Sequence, residues 1–131
     1  MNVFKNLYQD ADWKIEKHVP VIEILNPPKK KENIQIMVSI GKAVPHPNTT
    51  AHHIRYIELY FQPKDEKFPY QIARVEFNAH GEAVEGADKS SIYTDPLATV
   101  NFKTEKEGTI YASSYCNIHG LWESALELRF K

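Results

Sequence analysis

Short runs in which every second residue is apolar constrain the fold of this chain more than any other feature. Ile34, Ile36, Val38 and Ile40 alternate with Gln35, Met37 and Ser39. A period of two puts one set of side chains on one face of an extended strand and the other set on the opposite face. The pattern recurs in Ala73, Val75 and Phe77, in Ala98, Val100 and Phe102, and in Leu126, Leu128 and Phe130. Val19–Leu25, Ile54–Phe61 and Gly108–Tyr115 are further β-prone runs. Turn-rich stretches separate these segments, so the predicted fold is all-β: an immunoglobulin-like antiparallel β-sandwich of about seven strands. The start differs. Asn2–Lys14 is predicted to hold a short helical segment, with Val3, Leu7 and Tyr8 on one face. The stretch from Asn78 to Pro96, which includes Gly81 and Gly86, is predicted as an extended surface loop that packs on a neighbouring subunit.

At 131 residues the chain is expected to form a single domain, residues 1–131. A domain of this size buries roughly two-thirds of its unfolded surface and needs no disulfide staple. With one cysteine it has no internal pair to form one. A lone cysteine suits a reducing compartment. The N-terminal residues carry no apolar core of a secretory signal, and no run approaches a membrane span. A cytoplasmic protein is expected, with no membrane partner. The net charge of −1 and pI near 6.6 argue against a nucleic-acid partner, which calls for a basic surplus. Lys29-Lys30-Lys31 reads as a solvated turn after Pro27-Pro28.

Chemistry enters with the single cysteine, in Cys116-Asn117-Ile118-His119-Gly120. A thiolate and an imidazole three positions apart on a Gly-ended turn can point at one metal ion. Two more histidine-bearing stretches lie upstream, Glu16-Lys17-His18 and His46 through His52-His53. Each falls in a loop or at a strand start, and the loops of a sandwich gather at its ends. Sulfur with imidazole suits a transition metal and not Mg or Ca.

Several of these residues have plainer readings. A lone buried cysteine is usually a small hydrophobe, and a lone loop histidine is usually solvated. It is the joint occurrence that favours a ligand set. His52 and His53 are adjacent, so only one of them should face a metal, and spacing leaves open which. His80 reads as a surface or loop-packing residue. Trp122 reads as packing around the core or the metal. Glu58 and Glu76 read as solvent-facing strand residues. Asn48 and Thr49 suit either turn chemistry or the orientation of a histidine ring.

Taken together, Glu16-Lys17-His18-Val19-Pro20, His46-Pro47-Asn48-Thr49 with His52-His53, and Cys116-Asn117-Ile118-His119-Gly120-Leu121-Trp122-Glu123 resemble the iron-binding stretches of the superoxide reductase family. The likeness is to its single-iron branch, also called neelaredoxin, and it runs over nearly the whole chain in the same order. The resemblance implies one mononuclear non-haem iron. It assigns His18, His46, His52 and His119 as equatorial ligands and Cys116 as the axial one, which decides for His52 over His53. It also implies that Glu16 can take the sixth position in the ferric state and that Lys17 assists near the substrate. The implied activity is one-electron reduction of superoxide to hydrogen peroxide. The implied partners are a rubredoxin-like electron donor and three further copies in a homotetramer. The cysteine-rich N-terminal module of the two-centre desulfoferrodoxins has no counterpart here, since Cys116 stands alone.

Charge arithmetic agrees with that implication. A divalent iron with one thiolate and four neutral imidazoles keeps a net charge of about +1 and one free position, which favours a small anion. Two other classes use related ligands. A blue-copper electron-transfer protein of cupredoxin type usually adds an axial methionine, but Met1 and Met37 do not follow the Cys-x-x-His turn. A structural zinc module closes a tetrahedron with Cys and three His. That leaves one histidine spare and Glu16 and Lys17 without a task.

Overall fold

The computed structural model describes residues 3–131. Eight strands form two sheets: β1 (Tyr8–Gln9), β2 (Pro20–Ile24), β3 (Ile34–Ile40), β4 (Ile54–Pro63), β5 (Tyr70–Glu76), β6 (Leu97–Phe102), β7 (Gly108–Cys116) and β8 (Gly120–Leu128). One sheet has the order β1-β8-β7-β4-β5 and the other the order β2-β3-β6. Neighbours pair antiparallel throughout except β1, which runs parallel to β8 through Tyr8–Leu121 and Gln9–Trp122. The all-β sandwich expected from the alternation is the fold found.

The core lies between the sheets and uses the alternating residues. Ile34, Ile36, Val38 and Ile40 of β3 pack in one cluster with Ile54, Ile57, Leu59 and Phe61 of β4, Ile110 of β7 and Leu128 of β8. Each fully buried aliphatic side chain there contributes about 1.5–3 kcal/mol. In β4 the inward positions change parity, from Ile54 to Ile57. The cause is a bulge: Ile54 faces Cys116 and Tyr56 faces Tyr115, so Arg55 is an extra residue on β4. It sits directly beside the histidine loop.

Two boundaries differ from the sequence expectation. The N-terminal helical segment is a single 3-10 turn, Lys5–Leu7, and Asn2 lies outside the described residues. Val3, Phe4 and Leu7 remain exposed, so no apolar stripe docks a longer helix. The last strand begins at Gly120, six residues before the alternation at Leu126 becomes visible. Among the described residues no helix is long and apolar enough to cross a membrane.

Pairing brings the chemistry to one end of the sandwich. Pro20 of β2 pairs with Ile40 of β3, Ile54 of β4 with Cys116 of β7, and Cys116 with Gly120 of β8. The segment before β2, the β3–β4 connection and the β7–β8 turn therefore share that end.

Candidate metal centre

The β7–β8 turn supplies two donors. Cys116 closes β7 opposite Gly120, and Asn117-Ile118-His119 make the loop between them. Gly120 has φ +79°, a conformation that glycine takes without the cost a side chain adds. The Cys116 sulfur is fully buried and accepts the His119 backbone N–H at 3.4 Å. His119 Nδ1 lies 3.7 Å from the same sulfur.

The other histidines converge on this pair. His18 Nε2 lies 3.2 Å from His119 Nδ1, and His52 Nε2 lies 3.1 Å from it. One donor atom from each of His18, His52, Cys116 and His119 falls within 4.8 Å of the others. His46 stands at the remaining corner, with ring centroids 4.8 Å from His18 and 4.6 Å from His52. The circuit closes through His52–His119 at 4.8 Å and His119–His18 at 4.7 Å. Every neighbouring pair meets edge to face, between 60° and 76°. The diagonal from His18 to His52 is 6.0 Å. Four imidazoles thus form a closed ring, with the sulfur beside it.

Hydrogen bonds on the outer edges fix the tautomers. His18 Nδ1–H donates to Glu16 Oε1 at 2.7 Å, and the same oxygen accepts the His18 backbone N–H at 3.0 Å. His46 Nδ1–H donates to the Pro47 carbonyl at 2.5 Å. Each bond leaves the Nε2 lone pair free on the inner edge. His46 Nε2 is buried with no hydrogen-bond partner. A buried acceptor in that state costs about 1–3 kcal/mol. A cation among the ring nitrogens would remove that cost, so the residues fit a transition-metal ion.

Electrostatics point the same way. Burial is the main cause that lowers the pKa of His18, His46 and His52, and it takes His46 down to about 4. The charge of Lys17 lowers all three further. All three rings are therefore neutral near pH 7 and ready to donate. Burial raises the Glu16 carboxyl, but the bonds from His18 outweigh it and hold the group below the ordinary range.

Packing completes the setting. Trp122 lies flat on His18, and its Nε1–H donates to the His119 carbonyl at 3.1 Å. Behind His46, Gly41 has φ +86°, and a side chain there would meet the His46 backbone nitrogen. His119 is exposed and His52 half-buried, so the ring opens to solvent on their side.

All the histidines and the cysteine singled out as ligands are thus brought together. Glu16 is not in the cluster: its carboxylate grips the outer edge of His18, away from Nε2. Asn48 and Thr49 brace backbone and do not orient the four rings. Asn48 accepts from the Ile54 N–H and donates to the His46 carbonyl. Asn117 was not singled out from the sequence. Its Oδ1 accepts the His53 N–H at 2.9 Å and its Nδ2 donates to the Ala51 carbonyl at 2.9 Å, tying the cysteine turn to the histidine loop. Its place between Cys116 and His119 was the available signal. His53 turns away from the ring and stacks on His80, and both are buried.

Nearly the whole chain is similar to known proteins. A family model described as Desulfoferrodoxin matches residues 10–125. A superoxide reductase of Pyrococcus furiosus is 57% identical over 120 residues, 92% of this chain and 94% of that protein. The neelaredoxin of Megalodesulfovibrio gigas is 45% identical over 126 residues, 96% of this chain and 97% of that protein. The solved structure of the superoxide reductase (neelaredoxin) from Archaeoglobus fulgidus in its reduced form gives a TM-score of 0.90 at 55% identity, covering 95% of this chain and 99% of that one.

Proposed function

This chain belongs to the desulfoferrodoxin family, and we infer that it is a superoxide reductase using one mononuclear iron held by His18, His46, His52, His119 and Cys116. The observation that carries the reading is the closed ring of four imidazoles beside a buried sulfur. Iron bound there supplies the single electron that, with two protons, converts superoxide to hydrogen peroxide.

The protein's own residues prepare that chemistry. Glu16 and the Pro47 carbonyl hold two imidazoles by their outer edges, so their inner lone pairs are aimed before any metal arrives. Trp122 shields one face of His18 and fixes the carbonyl of His119. The His119 N–H bond to sulfur steadies the thiolate on the buried side. Superoxide reaches the opposite side, where His119 and His52 meet solvent. Lys17 draws the anion there: two unit charges 4 Å apart interact by about 1 kcal/mol in water and about 4 kcal/mol at an effective dielectric near 20. Lys17 therefore acts mainly on encounter. Glu16 has a second role in the proposal. It would leave His18 and serve as a further ligand to a bound ferric ion, at the cost of two hydrogen bonds.

The electron is returned by an external donor, because the chain has no second redox motif, and a small rubredoxin-like iron protein suits this. We place the protein in the cytoplasm as a homotetramer. Tyr56, Tyr60, Tyr111 and Tyr115 line the outer face of the five-stranded sheet, in register with one another, and suit contact between copies. Light-scattering mass in solution tests the assembly, and a monomer would remove it.

The functional test is oxygen balance. Iron-loaded protein with a reductant should consume superoxide, form peroxide and release no oxygen. Oxygen release in step with peroxide would mean dismutation, and a protein that purifies with copper or zinc alone would favour the rival metal classes.

A further inference from the structure

The β5–β6 connection, residues 77–96, is long for a loop in a domain of this size, and such loops usually carry a task. It is braced internally. Gly81 N–H donates to the Ile92 carbonyl at 3.1 Å, Thr94 N–H to the Ala79 carbonyl at 2.8 Å, and the Tyr93 hydroxyl to the Asp88 carbonyl at 3.2 Å. Gly81 has φ +86°, and a side chain there would run into the Tyr93 ring. The segment is therefore shaped, and it faces the histidine loop.

Four contacts join them. The His80 ring lies flat on His53, with centroids 3.5 Å apart and planes within 10°. Both residues are only 5% exposed. The Thr50 hydroxyl donates to the His80 carbonyl at 2.9 Å. Asp88 Oδ1 accepts the Thr50 N–H at 2.8 Å, and the Asp88 N–H donates to the Thr50 hydroxyl at 3.2 Å. Asp88 makes these bonds with φ +60°, a left-handed conformation that costs roughly 1–2 kcal/mol in a residue with a side chain. A conformation of that kind persists where its surroundings hold it.

The contacts grip the turn that carries His52. Thr49 N–H donates to the His52 carbonyl at 2.8 Å, and His53 Nδ1–H donates to the Thr49 carbonyl at 2.9 Å. His52 is half-buried, and no hydrogen bond from a neighbouring group restrains the outer edge of its ring among the described residues, unlike His18 and His46. Its position thus depends on the backbone of residues 49–53. We propose that residues 77–96 form a clamp that positions His52 for the metal, with His80 and Asp88 as the positioning residues; the proposal rests on His52 being an iron ligand. Neither residue touches the ring of imidazoles. The His80 plate presses on His53, Asp88 pins Thr50, and the turn between them cannot relax outward.

The test uses the iron-loaded full chain and two readouts besides activity. One is the rate at which iron is lost to an excess of a strong chelator. The other is the position of the thiolate-to-iron absorption band of the oxidised protein. His80→Ala and Asp88→Ala should lose iron about tenfold faster or more, in the range of lost supporting bonds around metal sites, with a shifted band. His80→Phe keeps a flat plate and should restore slow loss. Wild-type loss rates and bands in both alanine variants would overturn the clamp, whatever happens to the melting temperature, and so would a His80→Phe variant as leaky as His80→Ala. If His80→Ala does not fold, Asp88→Ala and Thr50→Val decide by the same readouts. His52→Ala is the control for the premise. Iron retained with an unshifted band in that variant would remove His52 as a ligand and the clamp with it, whereas loss there but not in the clamp variants would sink the clamp alone.

Discussion

The imidazole of His18 lies on the indole of Trp122 with ring centroids 4.9 Å apart and planes 14° from parallel. One residue of β8 thereby sets the plane of an imidazole that comes from a segment about a hundred positions earlier. The same indole reaches the turn of His119 through Nε1. Truncating Trp122 to Ala should cost about 3–5 kcal/mol of stability and weaken iron retention by about ten- to a hundredfold. Trp122→Phe keeps a plate and loses only the hydrogen bond, so it should fall between. Chelator competition and thermal melting measure both, and unchanged iron retention in Trp122→Ala would remove Trp122 from the centre.

Glu16 has one task visible in its bonds to His18 and a second that is proposed. Glu16→Gln keeps an oxygen to accept from His18 Nδ1–H, and Glu16→Ala does not. Glu16→Ala should therefore hold iron about tenfold less tightly than Glu16→Gln. In both variants the ferric form should bind added azide more readily, with turnover largely kept when iron is saturating. A turnover rate abolished in both, at full iron occupancy, would contradict this division of labour.

For Lys17→Ala the second-order reaction with superoxide should slow, and its dependence on salt should flatten, because the half-buried Lys17 charge still acts on the anion through a screened field. Stopped-flow rates over a range of ionic strength provide the check. An unchanged rate at low salt would rule out steering by this residue.

Acid should destabilise the metal-free protein through its buried histidines. His46 is held down to about 4, and His18 and His52 are also lowered, from an ordinary value of 6.5. Below that ordinary value the unfolded chain takes up protons that the folded protein refuses. Stability is then full above about pH 6.5 and falls as pH drops toward 4. Glu16, held low by His18, adds a loss in the same direction at lower pH. His46→Asn should flatten the slope between pH 6.5 and 4 in urea titrations. Identical slopes in the two proteins would contradict the burial argument.

The sandwich was legible in the sequence because β3 and β6 alternate without interruption and each buries one face. In β4 the alternation runs across the bulge at Arg55, where inward positions change parity. That shift depends on pairing with β7, and no local pattern records it. The start of β8 was missed for a related reason. Leu121 and Trp122 are engaged by β1, a pairing between distant segments, so they show no simple alternation of their own. At the site, residue types and spacing marked Cys116, His119 and the two upstream histidine-bearing stretches as candidates, and the family resemblance chose His52 over His53. The hold of Glu16 on the outer edge of His18 was not legible. A carboxylate two positions from a histidine can face either ring nitrogen, and the turn geometry decides which. His80 looked like a loop residue because its partner His53 is distant in sequence, and a stack of two rings leaves no periodic trace.

The most direct measurement is iron K-edge X-ray absorption on the reduced protein, with one iron confirmed per chain, beside Cys116→Ser. The expected result is a first shell of one sulfur and four imidazole nitrogens, with the sulfur contribution lost in the variant. A shell of nitrogen and oxygen alone in the native protein, or a sulfur signal that survives Cys116→Ser, would contradict the proposed centre.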